Sequence, residues 1–480
     1  LVSRREFIRL LGAGAAAAVA IGLGYEAVRG GKPAATSPAA STAPAATQAT
    51  QTTSPTATAA ATGTATASGV RKIRALWIYV GPIGDYGWTH AHDVGRRNAE
   101  KILKGLVETK YIESVPEDRA YQVIKQALTQ EHFDAVFATS YGFMDAVKRL
   151  AKEFPDVMFY HCSGPWEVFR ELPNVATYFD EFYQLYYLNG IAAGAVTKTC
   201  NVGYVPAFLT PEVVRHINAF SMGAVHGAKL MGKCGNGEKL TIYVSPPLRA
   251  WFAPDKAAHY AETLINQYQV DVLAYTEDST AVLETAAKYG AYSFSHYSNM
   301  LEYFLHGKGS KSPLAKKIVE HHLTGQIANW TPIYVKFLTE LITGTARKED
   351  VWARIGDFTP IRWRRPVRLS TAGKPEGAVY LAPLNTGVIP AKAVEEIKRL
   401  YEDMKELIFE PYTGPIRGYK IDPATGKKIG DVETIVPPGV RWGRNELWGC
   451  RTSCEPNCFV NEKPECKTMN WFYEKIVTLG

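Results

Sequence analysis

Apolar and polar positions alternate along most of the chain in two periods. Residues 71–80 carry Ile73 and an unbroken run from Ala75 to Val80, the pattern of a buried strand. A Gly-Pro-Ile-Gly loop follows at 81–84. Residues 88–106 then place Val94, Ala99, Ile102 and Leu103 at helical spacing. The same alternation predicts a short strand at 111–113, a helix at 119–130, a strand at 134–139, a helix at 142–154 and a strand at 157–161. A second series starts near Asn174, with strands at 175–178, 202–205, 239–244, 270–275 and 291–295. Helices at 181–198, 211–231, 255–268 and 279–289 separate them. Strands that alternate with helices make parallel sheets covered on both faces. Two series of about five strands predict an α/β fold of two doubly wound lobes with a ligand cleft between them. In such sheets ligands sit beyond the carboxyl ends of the strands.

The pattern stops at both ends of the chain. Residues 1–30 hold Arg4-Arg5-Glu6-Phe7-Ile8 and then an apolar run of about 15 residues, short of the ~20 that span a bilayer. Paired arginines before a short apolar core read as a twin-arginine type export signal; an uncleaved anchor is the other reading. No cysteine lies near it, which excludes a lipid-attached cysteine there. Residues 31–69 collapse to Ala, Thr, Ser, Pro and Gln, with one charge and no aromatic ring. Such a stretch cannot bury enough apolar surface to fold and reads as a disordered stalk. The expected organisation continues with a first lobe at 70–178, a second at 179–298, crossover segments completing both at 299–415, and a tail at 416–480. The expected location is extracytoplasmic, at the cell surface, with membrane association through the N-terminal segment.

Composition narrows the class. The net charge of +7 is modest for 480 residues, and no Lys/Arg run is interleaved with aromatics, so nucleic-acid binding is not expected. No HExxH, GxSxG, phosphate loop or Asp-rich metal run appears, and no cofactor is expected. Asp85, Asp93 and Asp278 read poorly as a metal cluster beside so many aromatics. The Gly235-Asn236-Gly237 string precedes a strand and reads as a turn. Cys450, Cys454, Cys458 and Cys466 cluster near the end without a CxxC pair. Disulfides are the leading reading outside a cell, with a metal site or free thiols as alternatives. Cys200 and Cys234 each end a helix just before consecutive strands, so topology predicts a Cys200–Cys234 disulfide.

The residues at the strand ends carry the candidate chemistry. They include Asp85, Tyr86 and Trp88 after the first strand, and Ser140 and Tyr141 after the third. Trp251, Phe252, Asp278 and Asn299 occupy such ends in the second lobe. Aromatic faces with a few short polar groups suit a flat, polar-edged ring.

At these positions the chain resembles the basic membrane protein family of ABC-transporter solute-binding proteins, in its purine-base and nucleoside branch. The strings that carry the resemblance are IYVGPIGDYGWTHAHDVGR, TSYGFMD, FPDVMFYHCSG, PEVVRHINAFSMGA, WFAP, EDSTA and NWTPIY, in that order. The likeness covers about residues 71–415, and MNWFYEKIVTLG at the end resembles the family's closing segment. The tail cysteines would then be an insertion. The resemblance implies a periplasmic-binding-protein-like fold, type I, a purine base or nucleoside as ligand, and an ABC transporter permease as partner. It implies ligand binding by Asp85, Tyr86, Trp88, Ser140, Tyr141, Asn218, Trp251, Phe252, Asp278 and Asn299. Stacking would fall to Trp88 and to Trp251 or Phe252, with hydrogen bonds from Asp85, Ser140 and Asp278. Nucleoside binders of the family carry a Lys where this chain has residues 295–299, SHYSN, which favours a free base. A sensory ectodomain and a nucleoside-processing enzyme are the competing classes.

Overall fold

The computed structural model describes residues 72–358, 377–448 and 469–479. The expected signal, stalk and the four tail cysteines lie outside the described residues.

The first lobe is built on β1 (Ile73–Ile78), β2 (Val107–Ile112), β3 (Ala135–Ala138), β4 (Met158–Cys162), β5 (Val175–Asp180) and β11 (Asp350–Ala353). Their order is β11-β5-β4-β3-β1-β2, and every pairing is parallel. Register aligns Trp77, Phe137 and Tyr160 on neighbouring strands. Their rings stack in sequence, at 4.1 Å and then 4.6 Å between centroids. Helices α1 (Trp88–Ile102), α2 (Ala120–Gln130) and α3 (Met144–Glu153) follow the strands in turn. The alternating pattern placed these elements, with two differences. Helix α1 stops at Ile102, because Gly105 turns the chain at φ +84° and the Leu106 N–H bonds back to Leu103. Strand β2 then begins at Val107, earlier than expected. It is an edge strand whose side chains are mostly half-exposed or exposed, so it lacks the apolar run that marks the others.

The second lobe holds β6 (Asn201–Val205), β7 (Thr241–Val244), β8 (Val272–Tyr275), β9 (Tyr292–Tyr297), β10 (His322–Ala328), β12 (Val379–Leu381) and β16 (Ile476–Thr478). The order is β12-β10-β9-β8-β6-β7-β16, with only the β10–β12 pair antiparallel. Helices α4 (Tyr183–Val196) and α5 (Pro211–Leu230) pack unusually closely. A Cβ on Gly190, Gly194, Gly223 or Gly227 would lie about 2 Å from a carbonyl oxygen of the facing helix. Glycines four apart therefore form matching notches down the contact. The start of α5 is set locally: Thr210 accepts a bond from the Val213 N–H, and Pro211 fills the first helical position.

The chain passes between lobes after β5, after β10, and again between β11 and β12. Segments beyond residue 299 thus contribute to both sheets. Helix α10 (Thr331–Thr343) returns to the first lobe, where Tyr334 and Phe337 cap the aromatic stack. It follows α6 (Pro254–Tyr268), α7 (Ala281–Tyr289), α8 (Met300–Leu305) and α9 (Ala315–His321) of the second lobe. The tail forms β13 (Ile416–Ile421), β14 (Lys428–Val436) and β15 (Trp471–Tyr473), a small antiparallel sheet. Cys200 and Cys234 form a disulfide with Cα atoms 5.5 Å apart, as their helix-end positions predicted. Cys162 is buried with a free thiol. Among the described residues no helix is long and apolar enough to cross a membrane.

Candidate functional site

A small cavity lies where the two lobes face each other. The first lobe lines it with Val80, Trp88, Ser140, Tyr141 and Ser163; the second contributes Glu212, Trp251, Asp278 and Tyr297. All lie on the carboxyl-end side of the strands, at a strand's end, in the loop after it or at the start of the following helix, as doubly wound sheets require.

Trp88 opens α1 and is nearly buried, at 6 % exposure. Its indole N–H donates to the Thr139 carbonyl at 2.6 Å, and its ring meets Tyr297 edge-on at 4.9 Å. Gly87 before it has no side chain because Asp278 of the other lobe is there: a Cβ would lie 3.0 Å from the Asp278 Cα. His296 Nε2 lies 3.6 Å from an Asp278 carboxylate oxygen. Tyr297 donates to Glu212 Oε1 at 3.0 Å. Ser140 Oγ donates to Glu117 Oε1 at 2.5 Å, Trp251 Nε1 donates to the same oxygen at 3.2 Å, and Ser163 Oγ donates to the Cys162 carbonyl.

Burial governs the charges. It pushes the Glu212 carboxyl up to about 7, against the pull of Arg215 and the Tyr297 hydroxyl. It raises Asp278 well above the carboxylate range, helped by the negative charges of Asp85, Glu277 and Glu212. Burial drives His296 well below its usual value, so the His296–Asp278 contact at neutral pH is a polar contact and not an ion pair. Among the described residues no Lys or Arg lines the cavity.

Of the ten expected ligand-binding residues, Trp88, Ser140, Tyr141, Trp251 and Asp278 line this cavity. The other five have different surroundings. Asp85 is the acceptor at the start of α1, taking bonds from the N–H groups of Gly87, Thr89 and His90. Burial lifts it to about 7 despite those bonds. Tyr86 has a left-handed backbone at φ +59°, which swings its ring onto Tyr303 at 4.0 Å. With Asn299 it lines a separate, more open groove. Phe252 is 41 % exposed and is not part of the lining. Asn218 is corrected most clearly. Its amide donates to the Trp471 carbonyl and accepts from the Tyr473 N–H, so it holds the tail strand to α5. Asp93 pairs with Arg96 and Arg97, and no metal-holding cluster occurs among the described residues.

Val80, Ser163, Glu212 and Tyr297 also line the cavity and were not among the ten expected residues. Ser163 directly follows β4 and Tyr297 is the last residue of β9, so both are strand-end positions. Glu212 lies in the first turn of α5.

A family model described as ABC transporter substrate-binding protein, PnrA-like, matches residues 72–356. The chain belongs to that family. This substrate-binding protein is 29 % identical to a purine-binding protein from Brucella abortus (strain 2308) over 364 residues, 75 % of this chain and 88 % of the relative. It is 31 % identical over 289 residues to a Haloferax volcanii protein named for ABC-transporter glucose binding, covering 60 % and 66 % of the two chains. Its fold matches a solute-binding protein structure from Aeropyrum pernix K1 at a TM-score of 0.52 and 16 % identity, covering 70 % of this chain and 92 % of that one. The family is one of extracytoplasmic solute-binding proteins and not of enzymes, and its members serve ABC transporters.

Proposed function

We propose that this substrate-binding protein captures a free purine base between its lobes and hands it to an ABC importer permease, tethered to the membrane by its N-terminal segment. The observation that carries the ligand reading is the pattern of hydrogen bonds around the cavity. Trp88, Ser140, Ser163, Trp251 and Tyr297 each donate their side-chain hydrogen to a protein acceptor. What they turn toward the cavity is ring surface and lone pairs. Glu212 and Asp278, both pushed toward the neutral acid by burial, add an O–H donor as well as acceptor oxygens. A flat ring that carries both N–H donors and ring-nitrogen acceptors on its edge suits that set. The purine-binding relative points the same way.

The Haloferax relative favours a sugar as the second reading. Isothermal titration with adenine, guanine, adenosine and glucose separates the two. A purine base is expected to bind, with adenosine weaker and glucose absent. Binding of glucose without any purine refutes the reading.

A further inference from the structure

Glu117 does not line the cavity itself, yet it accepts three hydrogen bonds beside it. It opens the short 3-10 turn Glu117–Arg119 between β2 and α2, in the first lobe. Its Oε1 receives three bonds: from Ser140 Oγ at 2.5 Å, from the Gly142 N–H at 3.0 Å and from Trp251 Nε1 at 3.2 Å. The first two donors belong to its own lobe. The third reaches across from the second lobe, and its ring forms part of the cavity wall.

The carboxylate has a prepared seat. A Cβ at position 142 would lie 2.2 Å from the Glu117 Cδ and 2.4 Å from each of its oxygens, so only glycine there admits the group. Trp251 is also tied at its other end, since its carbonyl accepts from the Asp278 N–H at 2.8 Å. Its ring leans on Phe208 at 4.7 Å. One residue of the second lobe thus connects the cavity wall, the Asp278 loop and a carboxylate of the first lobe. A bond to a charged acceptor is roughly twice as strong as a neutral one.

We propose that Glu117 is a closure latch: by accepting the Trp251 indole N–H across the cleft it positions that ring over the bound ligand and sets the rate at which ligand leaves. It is a positioning residue and acts through Trp251. The inference rests on the reading of this cavity as the ligand site, not on which ligand fills it.

The test is a double-mutant cycle of Glu117→Ala and Trp251→Phe, with Glu117→Gln as the variant that keeps an acceptor without the charge. Phe retains a ring but removes the indole N–H. Association and dissociation rates are measured by stopped flow with adenine, or with glucose if that is what the unmodified protein binds. Each single variant is expected to raise the dissociation rate roughly tenfold, the low end for a bond to a charged group, with the association rate unchanged. The double variant should be no faster than the singles, and Glu117→Gln should fall between. Additive effects, or a Glu117→Ala protein that releases ligand at the unmodified rate, overturn the latch. Thermal unfolding of the same four proteins without ligand is an independent measurement. Coupling of the two positions there is expected, and its absence also overturns the proposal. Failure of the purine reading shows separately, as an unmodified protein that binds no purine.

Discussion

Glu212 makes the protein's stability depend on pH in a direction opposite to most surface carboxylates. It sits in the first turn of α5, 5 % exposed, with Tyr297 donating to it and Arg215 nearby. Burial raises it from 4.5 to about 7. In the unfolded chain it titrates near the lower value. Between the two, the folded protein holds a proton that the unfolded chain has released. The stabilisation is therefore complete below about pH 4.5 and is lost as pH climbs through about 7. At 1.36 kcal/mol per unit, a shift of that size makes about 3 kcal/mol of difference. Asp85 and Asp278, also raised, act in the same direction. Glu212→Gln keeps the shape and an acceptor for Tyr297 but cannot ionise. Its melting temperature should match the unmodified protein near pH 5 and exceed it by a few degrees near pH 8 in the absence of ligand. Calorimetric melts of both proteins across that range measure the difference. Identical slopes against pH would refute the claim that Glu212 is buried as an acid.

Three other outcomes follow from named contacts. Trp251→Ala removes a ring from the cavity wall and should weaken ligand binding by ~10- to 100-fold with the far-UV spectrum unchanged; titration calorimetry checks it, and a change below about twofold counts against the site. Replacing Cys200 and Cys234 by Ser opens a loop of sequence separation 34 and should cost about 3–4 kcal/mol in denaturant unfolding; equal midpoints would count against it. Gly223→Ala drives a Cβ to 2.0 Å from the Tyr187 carbonyl oxygen and should cost about 3 kcal/mol or more. Gly84→Ala, with open space around it, should be neutral, and equal melting temperatures for the two would refute the notch reading.

How far the chain spells out its own structure varies by element. The central strands were legible because both faces are buried, so AVFA at 135–138 and MFYHC at 158–162 hold apolar runs with no competing pattern. Edge strand β2, half-polar, hid its true start. The disulfide was legible because two helix ends before consecutive strands must meet at one sheet edge. Trp88, Ser140, Tyr141, Trp251 and Asp278 were legible as strand-end residues, since topology alone brings those ends to the cleft.

The direction in which each side chain points was decided only in three dimensions. Tyr86 and Trp88 are two residues apart, yet a left-handed backbone at Tyr86 sends one ring to an outer groove while the other faces the cavity. Asn218 lies in a resemblance-bearing string but spends its amide on a strand more than 250 residues away in sequence. Glu117 and Trp251 are separated by 134 positions, and nothing local in either marks them as partners. Local patterning determines which elements form and which of their ends converge. Which polar groups meet there is set by packing between distant segments, because a hydrogen bond depends on ångström-scale distance and direction that spacing along the chain does not encode.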